Sequence, residues 1–447
     1  MTNFTDDQKV YVTPRGTQMH GDSLELLGAL DDETVDLIVT SPPFALQRKK
    51  AYGNENQEAY VDWLAQFGQA AKRVLKPTGS LVIDLGNAYR QGSPTRSLYP
   101  YRVLLKFVDE LEYHLAEEFF WYNPAKLPSP LEWVNKRRIR VKDAVNTVWW
   151  FSKTEWPQAD VNQVLLPYSK NMQRLLKDPE KYYKATLRPS EHSISKHFGT
   201  NNGGAIPSNL LQIPNTDSSS AYLKKCRALG IKSHPARFPA NLPKFFIEFL
   251  TNPGDLVVDI FSGSNTTGMV AERLGRRWYS FELSRDYAAL SIMRFLPGLA
   301  PQDAGKLYDE AKLRTVSLPE EGRSLLATMA KTLEEDADKA VAAAEEALAI
   351  AVEDHLEAKG RRKKAKDASR EVLIVGPTDL VEIADAALAR AEEDLAARSA
   401  TMRAAKRDLS QAKKRSELGR ALLEDFDAYY DTTKFLVEVD ELAASVE

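Results

Sequence analysis

Four short runs, apolar at successive positions, constrain this chain more than any other feature. They are VDLIV at 35–39, GSLVID at 79–84, DLVVDIF at 255–261 and WYSFEL at 278–283. A strand without polar alternation has both faces covered, which is the condition of a parallel sheet held between helices. Helix-like stretches lie between the runs: 57–75, stopping at KPTG, and 266–275, closing at Gly275. The alternation predicts an α/β fold with a doubly wound, mostly parallel sheet, whose ligands sit at the carboxyl ends of the strands.

The pattern dissolves between about 158 and 230, where HFGTNNGG, RPSEHS and NTDSSS alternate with Tyr182, Tyr183, Arg188 and His197. This reads as a loop-rich insertion that carries function rather than core. After about 320 the composition turns to Ala, Glu, Leu, Lys and Arg over 325–358 and 379–425, which predicts an α-helical hairpin or coiled coil. IVGPTDL at 374–380 is its expected break, with Thr378 or Asp379 as N-cap. The expected organisation is a first α/β part over 1–157, an insertion over 158–230, a second α/β part over 231–320 and helices over 321–447.

Several function classes drop out. No apolar run approaches the roughly 18 to 20 residues that cross a membrane, and MTNFTDDQKVYV has no signal-peptide features. The single cysteine, Cys226, excludes a disulfide framework or a cysteine-rich zinc site and suits a reducing cytoplasm. No metal site is expected. Net charge is −3, but positive charge is concentrated in QRKK (47–50), NKRRIRVK (135–142) and GRRKKAK (360–366). A nucleic-acid footprint needs only such local charge.

Two motifs carry chemistry. TSPPF at 40–44 closes the first apolar run with two prolines and an aromatic ring, a stiff shelf at a strand end. DIFSGSNTTG at 259–268 follows an apolar strand and opens a helix; its small residues admit close approach of a ligand, and the helix start offers free N–H groups. It matches neither G-x-G-x-x-G nor a P-loop. Glu282 ends the next strand, where an acid usually holds the hydroxyls of a ribose. A nucleoside bearing a carboxylate fits both features, and S-adenosylmethionine is such a molecule.

SPPF followed by DIFSGSNTTG resembles the β group of amino-methyltransferases that act on exocyclic amines of DNA bases. SPPFALQRKK, NPAKLPSPLEWVNKRRIRVKDAVNTVWWFSKTEWP and NNGGAIPSNLLQI are similar to the PvuII-type N4-cytosine methyltransferases over residues 15 to 300. The resemblance implies a Rossmann-like, S-adenosylmethionine-dependent enzyme working on double-stranded DNA in a bacterial-type cytoplasm, with its target-recognition region at 158–230. It implies that Asp22 faces the adenine of the cofactor and that HPARFPANLPKFFIEFL (234–250), with His234, Pro235 and Phe238, closes over it. It further implies cofactor contacts from Asp259, Phe261, Gly263, Ser264, Asn265, Thr266, Thr267 and Glu282. Asn265 stands where many relatives have glycine.

The implied chemistry is methyl transfer to a poor nucleophile, an amine conjugated with its ring. A carbonyl within Ser41-Pro42 and the Ser41 hydroxyl would hold the amine, Pro42 and Pro43 would fix that geometry, and Phe44 would stack on an extruded base. Asp84, ending GSLVID, would orient Ser41 or receive the proton. Arg48, Lys49, Arg137, Arg138 and Arg140 are the expected phosphate contacts. Serine ahead of the prolines goes mostly with cytosine N4 in this family; adenine N6 is the alternative, and a catalytically idle DNA-binding scaffold is another. C5 methylation needs a cysteine in a Pro-Cys turn, which Cys226 is not. The helical tail is expected to self-associate or to dock a partner.

Overall fold

The computed structural model describes residues 3–44, 59–178, 182, 200–216, 220–296, 299–375 and 377–424. Arg48, Lys49, Tyr183, Arg188 and His197 lie outside them. The chain divides into two compact units, with the boundary between Pro319 and Glu320.

Among the described residues of the first unit, ten strands form one sheet: β1 (Lys9–Val12), β2 (Gly16–His20), β3 (Val35–Thr40), β4 (Leu75–Leu85), β5 (His114–Tyr122), β6 (Val145–Ser152), β7 (Leu210–Gln212), β8 (Leu256–Asp259), β9 (Arg277–Glu282) and β10 (Val316–Ser317). Their order is β10-β1-β2-β9-β8-β3-β4-β6-β5-β7. Neighbours run parallel except at β1–β2, β4–β6 and β5–β6. The four apolar runs are β3, β4, β8 and β9, which lie together in the middle of the sheet and are parallel to one another.

The helices are α1 (Ser23–Gly28), α2 (Tyr60–Val74), α3 (Tyr99–Leu105), α4 (Lys170–Lys177), α5 (Ala221–Ala228), α6 (Asn241–Leu250), α7 (Thr266–Arg273), α8 (Arg285–Leu290) and α9 (Pro301–Ala311). Side chains along a strand alternate between faces, and here each set meets a different helix. Ile38, Leu81, Ile83, Trp149 and Phe151 pack with Tyr60, Leu64, Phe67, Ala71 and Val74, the helically spaced stripe of α2. Val39, Val82 and Val148 face Leu242 and Phe246 of α6 on the other side. Both faces are therefore covered, which is why these strands show no polar alternation.

Two local readings change. KPTG does stop the helix, but β4 takes over at once from Leu75. The register with β3 jumps from Val35↔Leu75 to Leu37↔Ser80, so the proline is absorbed as a bulge in the strand. The stretch expected to be loop-rich between 158 and 230 also holds α4, α5 and β7, and β7 pairs parallel with β5. Its ends thus belong to the α/β scaffold.

In the second unit α10 (Leu318–Val375) and α11 (Thr378–Glu424) run antiparallel. Arg361–Asp394, Arg362–Glu392, Arg398–Asp354 and Lys413–Glu345 pair across them, and Ser369 and Ser416 donate to Asp385 and Asp338. Ala337, Ala351 and Ala358 are buried at multiples of seven residues, a spacing that returns small side chains to one seam. The expected cap moves: α11 already begins at Thr378, and the Pro377 carbonyl accepts the N–H groups of Leu380 and Val381.

Candidate active site

β3 delivers Ser41, Pro42, Pro43 and Phe44 to the carboxyl edge of the sheet, and β4 brings Asp84 beside them. The Ser41 hydroxyl donates to Asp84 Oδ2 at 3.0 Å, and Asn146 Nδ2, at the head of the antiparallel β6, donates to Asp84 Oδ1 at 3.0 Å. Asp84 is buried. Burial pushes its carboxyl up to about 6, against the pull of the Asn146 and Ser41 bonds and the Lys126 charge. Asn146 went unnoticed in the sequence; its only signal is an amide at the start of the apolar run of β6. Pro42 is buried and Phe44 half-buried. The Phe44 ring lies so close over Gly86 that a Cβ there has no room, and its edge joins the core beneath α2.

The second half is built where β8 and β9 end. Asp259 is buried, and its carboxylate accepts Thr40 Oγ1 at 2.8 Å, Thr267 Oγ1 at 2.7 Å and the Phe261 N–H at 3.1 Å. Burial raises its carboxyl to about 6. Thr40 directly precedes Ser41, so this one side chain joins the SPPF turn to the glycine turn. Gly263 has φ +53°, its N–H donates to Glu282 Oε2 at 2.9 Å, and the His234 ring sits against its Cα. Only glycine meets both conditions.

Glu282 is half-buried, and its other oxygen accepts the Ser284 N–H at 2.9 Å. Burial pushes its carboxyl up to about 7. His234 donates from Nδ1 to the Ala236 carbonyl at 2.6 Å, and burial lowers its pKa to about 4, so the ring is neutral. Asp22 caps α1 through the Leu24 N–H at 2.8 Å and remains at the surface. Phe261 packs its ring on Trp63 and Phe67 of α2, Phe238 is half-buried, and Pro235 is exposed.

Five of the expected cofactor residues, Asp259, Ser264, Asn265, Thr266 and Thr267, have buried side chains. Asp259 and Thr267 are committed to each other. Asn265 is fully buried at φ +53° and ψ 49°, a left-handed conformation that asparagine tolerates better than most residues. Its Oδ1 accepts the Gly268 N–H at 2.9 Å and the Ser280 hydroxyl at 2.8 Å, and its Nδ2 donates to Tyr11 at 2.9 Å. Asn265 thus caps α7 and holds the turn's left-handed backbone. Ser264 is buried too, clamped by Arg294 through its carbonyl and its hydroxyl at 2.8 Å. Thr266 is buried in the first turn of α7.

Of the expected phosphate contacts, Arg137, Arg138 and Arg140 are exposed on the segment between β5 and β6. Arg137 pairs with Glu132 at 3.0 Å, Arg140 donates to the Pro94 carbonyl at 2.9 Å, and Arg138 sits at φ +53°. Arg48 and Lys49 fall outside the described residues.

A mostly parallel sheet with a serine–aspartate pair at one strand end and a glycine turn plus strand-end glutamate beside it defines a Rossmann-like methyltransferase. The chain belongs to the family described as DNA methylase, of N6 and N4 type, whose model matches residues 35–293. It is 58% identical over 296 residues to the type II methyltransferase M.PvuII of Proteus hauseri, covering 66% of this chain and 88% of that protein. It is also similar to the solved structure of the PvuII DNA methyltransferase (cytosine-N4-specific), with TM-score 0.58 and 49% identity over 71% of this chain and 99% of that one. The DNA adenine methyltransferase YhdJ of Escherichia coli is 26% identical over 316 residues, 69% of this chain and 91% of that protein.

Proposed function

We propose that this protein transfers the methyl group of S-adenosylmethionine to N4 of a cytosine extruded from double-stranded DNA at a short palindromic site, as in restriction–modification. The observation that carries the reading is the Ser41–Asp84 hydrogen bond at the end of β3, one strand from the glycine turn. The residues present fit the cofactor. Each Glu282 oxygen already accepts one main-chain N–H and keeps a second lone pair, which suits two vicinal hydroxyls. Gly263 offers a surface without a side chain, and the start of α7 suits a carboxylate.

S-adenosylmethionine, when bound, supplies a methyl carbon on a cationic sulfur. The chain's own residues present the amine. Ser41 gives its hydrogen to Asp84, so Oγ turns lone pairs outward and accepts one amine N–H, while the Ser41 carbonyl, fixed by Pro42 and Pro43, accepts the other. Holding both hydrogens draws the nitrogen towards tetrahedral geometry and frees its lone pair. The proton released on methylation passes through the Ser41 hydroxyl to Asp84, whose raised pKa makes it a competent acceptor near neutrality. Phe44 stacks on the base from its seat on Gly86.

Arg137, Arg138 and Arg140, with Arg48 and Lys49, neutralise phosphates, and 158–230 reads the site through the major groove. The helical hairpin is a coiled coil that self-associates or docks a protein partner. The protein works in the cytoplasm; no helix among the described residues is long and apolar enough to cross a membrane. The test is digestion of duplex DNA methylated in vitro with labelled S-adenosylmethionine, followed by mapping of the label. N4-methylcytosine supports the reading, N6-methyladenine alone replaces the target base, and absence of label on every duplex leaves a binding scaffold.

A further inference from the structure

The segment between β5 and β6, residues 123–144, carries six cationic and two acidic side chains together with several exposed apolar ones. Leu127 is 81% exposed and Val141 86%. A single exposed leucine or valine is ordinary on a protein surface. The chain beside one is tied to the chain beside the other. Lys142, next to Val141, donates to the carbonyls of Pro124 at 3.1 Å and Lys126 at 3.3 Å, the latter adjacent to Leu127. The Asp143 N–H donates to the Ser129 carbonyl at 3.0 Å, and Asn123 donates to Ala144 at 2.9 Å, closing the segment at its base.

The ridge is also anchored beside the chemistry. Arg96 makes a two-point bridge to Asp143, at 2.8 and 3.1 Å, and Asn87 donates to the Val145 carbonyl at 3.1 Å. The segment re-enters the sheet at Val145, one residue before the Asn146 that holds Asp84. Lys126, adjacent to Leu127, is the cation felt by the Asp84 carboxyl. Two apolar tips thus project from a cationic ridge at the edge of the serine–aspartate site. Surrounding positive charge selects a polyanion as the occupant, and an apolar tip inside a polyanion has one favourable environment, the stacked bases.

We propose that Leu127 and Val141 form a wedge that enters the duplex where the target base leaves its stack. The wedge occupies the space the base vacates and offsets part of the unstacking cost of extrusion. This rests on the proposed base-methylating activity.

The test compares wild type with the Leu127→Ala/Val141→Ala double variant on two duplexes carrying the mapped site. In one the target base is paired, and in the other it is mismatched, so that extrusion costs less. The expected result is a loss of about tenfold or more in kcat/KM on the paired duplex and less than about twofold on the mismatched one. Leu127→Met/Val141→Ile, which keeps apolar bulk, restores the paired rate. Equal loss on both duplexes, or no loss on the paired one, overturns the wedge; a variant that captures a protein while methylating both duplexes normally points to another occupant and also overturns it. Wild type that methylates neither duplex overturns the underlying activity instead.

Discussion

Ser41 gives its only hydroxyl hydrogen to Asp84 across 3.0 Å, so its oxygen can meet a substrate only as an acceptor. Under the proposed function that fixed polarity gives Asp84 a part in the reaction, which its substitution tests. Asp84→Asn is expected to lower turnover by about 100-fold or more and to leave S-adenosylmethionine affinity unchanged. Single-turnover methylation beside calorimetric cofactor binding separates the two. The wild-type rate should fall below pH 6, where the Asp84 carboxyl, raised to about 6, becomes protonated.

The same substitution should stabilise the fold. A carboxyl raised from 3.8 to about 6 binds a proton more tightly when folded than unfolded. Its contribution to stability is therefore intact at low pH and lost as pH rises from about 4 through about 6. Asp84→Asn removes that loss, a gain of up to about 3 kcal/mol at pH 8. Denaturant midpoints at pH 5 and pH 8 check this: the gap between variant and wild type should widen with pH.

Asn265 combines a left-handed backbone with a buried cap. Asn265→Gly keeps the backbone and loses the bonds to Gly268, Ser280 and Tyr11, for an expected destabilisation of about 1–2 kcal/mol. Asn265→Ala adds the cost of positive φ, about 1–2 kcal/mol more. An alanine variant as stable as the glycine variant would falsify the conformational account.

If Glu282 holds the ribose hydroxyls as proposed, it gives cofactor binding a pH dependence. Its carboxyl is raised to about 7, and an ionised carboxylate accepts two hydroxyls where a protonated one must use an oxygen as donor. Cofactor affinity is expected to strengthen as pH rises through 7. Glu282→Gln should bind more weakly and lose that dependence in calorimetric titrations run from pH 6 to pH 8.5.

The second unit makes its cross-helix ion pairs with itself, such as Arg361–Asp394 and Lys413–Glu345. A chain ending at Pro319 is expected to methylate within about twofold of the full-length rate, the range of surface changes away from a site. Light scattering on both chains reads the mass; an unchanged mass would remove self-association from the tail's task.

Much of this arrangement could be read in the chain because burial on two faces leaves a plain mark. The middle strands β3, β4, β8 and β9 are continuous apolar runs, and Asp84 and Glu282 stood out as acids at their ends. The antiparallel strands hid because β5 opens with exposed residues, and β1 and β2 are too short for any period to show. Asn146, Thr40 and Arg294 escaped notice because each acts through a partner remote in sequence: Asp84, Asp259 and Ser264. For Asp259, Thr267 and Asn265 the motif marked the turn, while the bonds their side chains make within it could not be read from spacing. The break between α10 and α11 was legible from Pro377, although proline itself moved the cap.

Asp259 reaches 219 residues back along the chain to Thr40 and eight forward to Thr267. One buried carboxylate thus ties the SPPF turn to the glycine turn. Both bonds are made by residues outside the stretch between β6 and α6. If 158–230 reads the DNA site as proposed, changing it alters the target while Asp259 keeps the two turns in tune.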